Sequence, residues 1–229
     1  MSEPGLHGAF GFDLSIVEGN AQYLQFNTLS RMDYTTQRAY TFLVGSFNQG
    51  RQGENGGLFI NKGFLHLRRT REVTGGFAFE WYAQKEFNEF ILIEERNLFG
   101  LCLRYSFTGS EFNRSDPSKF QLVIGSGPMW EEEMLNSPGD KDTNLIRVST
   151  YLVLGYRLDE RVELNSTTYY QVNSSEITDY RLLMDGGISL NLEGGLSLTV
   201  KINLRYDSKP PAGLENLDFE LMNGLNYSF

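Results

Sequence analysis

The chain is nearly free of cysteine. Cys102 stands alone among 229 residues, so no internal disulfide can form, and a small residue facing a barrel interior is the expected role. Histidine is as scarce. His7 and His66 have no Cys or His neighbour at ligand spacing, so no metal site is expected. There are 6 prolines and no Pro- or Ser-rich linker, which leaves a single domain over 1–229. No apolar run approaches the ~18 residues of a membrane helix. No basic patch offsets the net charge of −9, which argues against nucleic acid as a partner. No Gly-rich phosphate loop follows a strand and opens a helix, so no cofactor is expected. The start, Met1-Ser2-Glu3-Pro4, lacks the charged and apolar regions of a signal peptide. The expectation is a mature form whose export signal has been removed.

What the chain does have is a period of two. Leu196, Leu198, Val200, Ile202, Leu204 and Tyr206 alternate with Ser197, Thr199, Lys201, Asn203, Arg205 and Asp207 without a fault. An ordinary soluble strand runs about 5–6 residues. Crossing a bilayer at a tilt takes roughly 9–11. The pattern recurs at Phe77, Phe79, Trp81 and Phe87 against Ala78, Glu80, Tyr82, Gln84 and Glu86. It recurs at Leu217, Phe219, Leu221 and Leu225 against Asp218, Glu220, Met222 and Gly224. Twelve strands are predicted: 5–17, 22–33, 38–48, 58–70, 76–87, 91–107, 119–132, 144–158, 161–171, 179–192, 196–207 and 217–229. The expected fold is all-β, a transmembrane antiparallel up-and-down β-barrel of about twelve strands. A mean hydropathy of −0.34 fits, because only half of each barrel strand faces lipid.

The connections alternate in length. Short ones lie at 33–38, 70–75, 159–160 and 193–195. Longer or more polar ones lie at 49–57, 133–143, 172–178 and 208–216. Short turns at one end and long loops at the other mark outer-membrane barrels. The connection 108–118 breaks the rule, being long at the short-turn end. Aromatics collect at strand ends, at Tyr105, Phe107, Trp130, Tyr156, Tyr206, Tyr227 and Phe229, as interfacial girdles would.

Three stretches carry a resemblance. One is Phe79-Glu80-Trp81-Tyr82-Ala83-Gln84 with Arg96-Asn97-Leu98-Phe99-Gly100-Leu101-Cys102-Leu103-Arg104-Tyr105. The second is Asp179-Tyr180-Arg181 with Arg205-Tyr206-Asp207-Ser208-Lys209-Pro210-Pro211-Ala212-Gly213. The third is Asn223-Gly224-Leu225-Asn226-Tyr227-Ser228-Phe229. Over roughly residues 58–229 the chain resembles the YdiY-like family of salt-induced outer-membrane proteins, whose function is not established. The resemblance implies a barrel in the bacterial outer membrane and no catalytic residues. The final Phe229, with Tyr227 and Leu225 on its face, looks like the C-terminal signal read by the barrel-assembly machinery.

The inward faces are charged. The residues expected to line the lumen are Glu80, Glu94, Arg96, Arg104, Arg147, Arg157, Arg181, Asp185, Lys201, Arg205, Asp218 and Glu220. Lys62, His66, Arg68, Glu86, Glu163 and Asp207 share those faces. Opposite signs on adjacent strands can pair across the ladder. Twelve strands lie between barrels that side chains fill and those that hold an aqueous channel. Glu131-Glu132-Glu133 with Asp140 and Asp142 read as a solvated acidic loop rather than a Ca²⁺ site. His7 and His66 have no Ser and carboxylate at fixed spacing, so no catalytic residue is assigned. The expected function is an outer-membrane barrel, structural or a narrow pore, linked to envelope or osmotic stress. Its partners would be outer-membrane lipid and other envelope proteins. The alternatives are a non-catalytic subunit or anchor of a larger envelope assembly and a lipid-modifying barrel enzyme. Outward polar positions such as Asn61, Arg69, Glu95 and Asn97 favour the anchor.

Overall fold

The structure is a computed structural model and describes residues 4–18, 22–53, 56–108, 119–137, 141–159, 161–192 and 196–227, with residues 226 and 227 described by backbone alone. The twelve strands are β1 (Gly5–Val17), β2 (Tyr23–Thr35), β3 (Ala39–Gln52), β4 (Gly57–Thr74), β5 (Phe77–Asn88), β6 (Ile93–Ser106), β7 (Phe120–Leu135), β8 (Thr143–Arg157), β9 (Val162–Asn173), β10 (Glu176–Asn191), β11 (Leu196–Asp207) and β12 (Leu217–Tyr227). One 3₁₀ turn, Glu89–Ile91, joins β5 to β6. The strands run from 11 residues in β12 to 18 in β4, well beyond the ordinary strand length. Among the described residues no helix is long and apolar enough to cross a membrane.

Each strand pairs antiparallel with the next, in the order β1 to β12, in one sheet. Among the described residues no ladder joins β1 to β12. The described residues thus form an up-and-down twelve-stranded antiparallel sheet, as expected, without a ladder that closes it. The sheet nonetheless curls on itself. The Arg68 guanidinium of β4 lies 5.5 Å from the Tyr151 ring of β8 and 5.9 Å from the Tyr169 ring of β9. Strands four and five places apart therefore meet across the concave side.

The ladders fix which residues share a face. Arg68 pairs with Tyr82, Tyr82 with Gly100, and Gly125 with Tyr151, all on the concave side. The convex side carries Phe10, Phe12, Phe79, Leu101, Leu103, Leu152, Phe219 and Leu221, all exposed. Buried apolar residues are few. Tyr82, Leu98, Cys102, Met129 and Tyr151 form one concave cluster, with Val153 and Tyr169 packed against it. The fold is inverted relative to a soluble domain: apolar outside, polar and ionic inside.

Two cross-strand glycines make room for that cluster. A Cβ built on Gly100 would sit 2.2 Å from Tyr82 Cζ, and one on Gly125 would sit 2.3 Å from Tyr151 Cζ. Each tyrosine ring packs closely against the bare backbone of its cross-strand neighbour. Glycine in a strand interior is otherwise unfavourable, and close packing of this kind is its usual reason.

The turns only partly keep the expected alternation. Gly75 and Gly76 make a two-residue turn at positive φ (54° and 85°) between β4 and β5. Asp159 accepts N–H bonds from Arg161 and Val162, both 2.8 Å, in the β8–β9 turn; these bonds hold its carboxyl below the usual range. The stretch 172–178 is not a long loop. It is a tight turn at Ser174-Ser175, where Asn173 Oδ1 accepts the Ser175 N–H at 3.0 Å. The 108–118 connection lies, from residue 109, outside the described residues, as does Phe229.

Candidate functional site in the concave face

Strand parity sends Arg96, Glu131, Arg147 and Arg181 to the same side, near the ends of β6, β7, β8 and β10 that carry the 208–216 loop. Glu131 is the centre of what they build. It is fully buried, at 0% exposure. Its Oε2 accepts from Arg96 Nη2 at 2.5 Å, and its Oε1 accepts from Arg147 Nε at 3.0 Å. Arg181 Nη1 donates to both oxygens at 3.0 Å. One carboxylate thus serves three guanidiniums. Each guanidinium reaches a further acid: Arg96 to Glu86 (2.9 Å), Arg147 to Asp179 (2.8 Å), and Arg181 to Glu133 (3.0 Å) and Asp207 (2.6 Å). Asn173 Nδ2 also donates to Asp179 at 3.0 Å. The network spans β5 through β11. Arginine suits it, since a planar fork can hold two acids at once.

A second cluster lies toward the other end. Glu80, also fully buried, accepts from Arg104 Nη1 at 3.1 Å and from Thr70 Oγ1 at 2.6 Å. The Tyr151 hydroxyl donates to its other oxygen. Arg68 stacks 4.9 Å over Tyr82, and its Nε has no hydrogen-bond partner among the described residues. Rings supply part of what a counterion would. Across both clusters Arg68, Arg96, Arg104, Arg147, Arg181 and Arg205 face Glu80, Glu86, Glu131, Glu133, Asp179 and Asp207. Six positive and six negative groups thus face one another in these clusters, while Asp13, Lys62, Asp185, Lys201, Asp218 and Glu220 share the concave side outside them.

The expected lumen residues divide. Glu80, Arg96, Arg104, Arg147 and Arg181 join the two clusters. Asp185, Lys201, Asp218 and Glu220 share the concave parity but are exposed, on β10, β11 and β12. Arg157 is exposed at the end of β8. Glu94 departs from the expectation. The β6–β7 register shifts between Ile93 and Glu95, and this bulge turns the buried Ile93 inward and leaves Glu94 exposed. The side chain of Tyr227 and the whole of Phe229 lie outside the described residues.

The acidic-loop reading of Glu131-Glu132-Glu133 is overturned. All three belong to β7, and Glu131 and Glu133 are buried. The missed signal was parity, since Val123, Gly125, Met129, Glu131 and Glu133 continue one face. Of the loop acids, Asp142 caps Leu135 N–H at 3.2 Å, and Asp140 lies outside the described residues. Asp179 was missed although it lies two residues from Arg181 and shares its inward face. No group of His, Cys, Asp and Glu able to hold a metal occurs among the described residues. His66 Nδ1 pairs with Gln84 Oε1 at 2.8 Å, and its ring stacks between Phe42 and Tyr82. Outside, Arg69 donates to Thr41 (3.0 Å), Lys85 pairs with Glu95 (2.8 Å) and Asn97 donates to Glu95 (2.8 Å) and Glu132 (3.2 Å). These outward polar groups satisfy one another.

The 208–216 loop covers the larger network. Lys209 Nζ pairs with Glu176 at 2.5 Å, Ser208 Oγ donates to Thr178 O at 2.9 Å, and Asn216 Nδ2 donates to Asp207 O at 2.8 Å. Beneath it a cavity of about 270 Å³ is lined by Ile93, Glu133, Arg181, Arg205 and Pro210 among others. A second cavity, of about 490 Å³, opens among β1 to β5 and Arg205.

Over residues 10–229 the sequence matches the family described as Protein of unknown function, DUF481. No curated protein and no solved structure matches it.

Proposed function

The chain belongs to the DUF481 family, whose function is unknown, and from its architecture we propose that it is a bacterial outer-membrane β-barrel with an obstructed lumen, structural or at most a narrow pore. The observation that carries this is the inverted face pattern: twelve long strands, an apolar convex face, and a concave face held by twelve charged groups. In water the exposed Phe and Leu rows would be an aggregation hazard. In lipid they are the stable arrangement, and polar groups belong inside. Aromatic girdles support the same reading. Phe77, Tyr105 and Phe107 pack together at one end of β5 and β6 (4.5 and 4.9 Å between ring centres). Tyr170, Tyr180 and Tyr206 form a second row at the other end, at 5.7 Å spacings.

Closure of β1 onto β12 is part of this proposal. So is membership of the salt-induced outer-membrane proteins that the sequence resembles, with outer-membrane lipid as the principal partner. The arginine–carboxylate clusters read as structural and non-catalytic. The test is refolding with vesicles of outer-membrane phospholipid. The expected product floats with the vesicles, resists urea extraction, and shows heat-modifiable gel migration. A monodisperse protein that stays in solution without detergent would overturn the reading. Planar-bilayer recordings then separate the two forms: silence fits a plug, and small steps that scale with salt fit a narrow pore.

A further inference from the structure

The clusters occupy the β4–β11 side of the interior. The 490 Å³ cavity lies on the other side, and its polar lining combines two cations, two carboxylates and three asparagines. Lys62 of β4 and Arg205 of β11 both line it, and neither makes a direct ion pair or hydrogen bond among the described residues, although Arg205 lies in the field of Glu86 and Glu133. Glu86 also lines it, but that carboxylate is committed to Arg96 Nη1 at 2.9 Å. Three asparagines complete the wall. Gln25 Nε2 donates to Asn27 Oδ1 (3.3 Å) and to Asn48 Oδ1 (3.4 Å), and Phe90 N donates to Asn88 Oδ1 (3.2 Å). With each carbonyl oxygen occupied, each NH₂ group is left as a donor. The cavity therefore offers two cations without a direct ion-pair partner and three amide donors, beside Asp13 and a Glu86 already held by Arg96. Water satisfies such groups, but so does an oxyanion, and the anion also offsets the charge.

We propose that this cavity is a binding site for a small oxyanion, a carboxylate or a phosphate, held between Lys62 and Arg205 with Asn27, Asn48 and Asn88 as neutral donors. Arg205 also lines the cavity beneath the 208–216 loop, so it stands between the capped end and the site. Asp13 sets a preference for an anion that also carries a hydroxyl or amino group.

The experiment uses the full chain refolded in detergent micelles, with inorganic phosphate and gluconate as probes. It needs neither vesicles nor conductance, so it can fail while the membrane reading stands, and the reverse. At least one probe should give a saturable calorimetric response at millimolar concentration or below. The Lys62→Met, Arg205→Met double variant should weaken it at least tenfold, and Lys85→Met, on the convex face, should leave it unchanged. Gel migration reports folding of each variant. If the double variant fails to fold, the wild-type protein still decides. A bound anion should slow modification of Lys62 by an amine reagent and leave Lys85 unaffected. No saturable response to either probe, equal binding by the folded double variant, or no protection of Lys62 each overturns the site.

Discussion

A carboxylate shared by three guanidiniums is a poor source of net stability but a costly thing to break. Burying ions has a large desolvation cost that pairing only offsets, whereas removing one partner strands the others. Glu131→Gln leaves Arg96, Arg147 and Arg181 without their common acid. The variant should lose about 3–5 kcal/mol in a urea titration of the refolded protein. Glu132→Gln, one residue away and facing out toward Asn97, should change stability by less than about 1 kcal/mol. Equal losses for the two would mean that Glu131 is not buried among arginines. The tyrosine–glycine pairs give a second residue-scale prediction. Gly100→Ala should cost about 1–3 kcal/mol by displacing the Tyr82 ring. The same substitution in a Tyr82→Val background should cost clearly less, a non-additivity that marks direct contact. Neither role follows from composition. Glu131 sits in a run of three acids that looks like a loop, and only the parity carried from Val123 places it inside. The ring over Gly100 depends on a register that alternation alone does not set.

At the scale of the strand, the decisive matter is what lies outside the convex face. Leu152 is central in β8, 43% exposed, and flanked in register by Ile124 and Thr168. In water an exposed Leu→Arg change is close to neutral, within about 0.5 kcal/mol. At a bilayer midplane it costs about 2–4 kcal/mol. Leu152→Arg should therefore destabilise the vesicle-refolded protein by that larger amount, measured against Leu158→Arg at the exposed strand end. A neutral result at Leu152 would argue that this face meets water. The strands themselves were legible from the sequence because period two runs far longer than soluble sheets need. Their ends were less so. Turn chemistry at Asn173 shortens an expected loop to two residues, and the bulge at Ile93–Glu95 reverses Glu94. A bulge has no period, so alternation cannot announce it.

For the whole molecule, the question is the seam. Among the described residues, β1 and β12 each present a row of backbone N–H and C=O groups without a ladder partner. In water such an edge invites aggregation. In hydrocarbon it is costlier still, because each unsatisfied group costs several kcal/mol and no water is present to help. A sheet of this length in lipid must therefore close, and curling already brings Arg205 of β11 to the same cavity as Asp13 of β1. The convex parities limit how closure can occur. Outward residues must meet outward ones, so Leu14 can face Leu217, Phe219 or Leu221, but not Asp218 or Glu220, which share the concave parity. In a Cys102→Ser background, Leu14→Cys combined in turn with Leu217→Cys, Phe219→Cys and Leu221→Cys should give one efficient disulfide in vesicles, at the register that seals the barrel. A disulfide needs Cα atoms within about 7 Å, so a register two residues off should react poorly. Efficient crosslinking with Glu220→Cys, or none in any of the three registers, would mean that the seam stays open and the edges seek another chain.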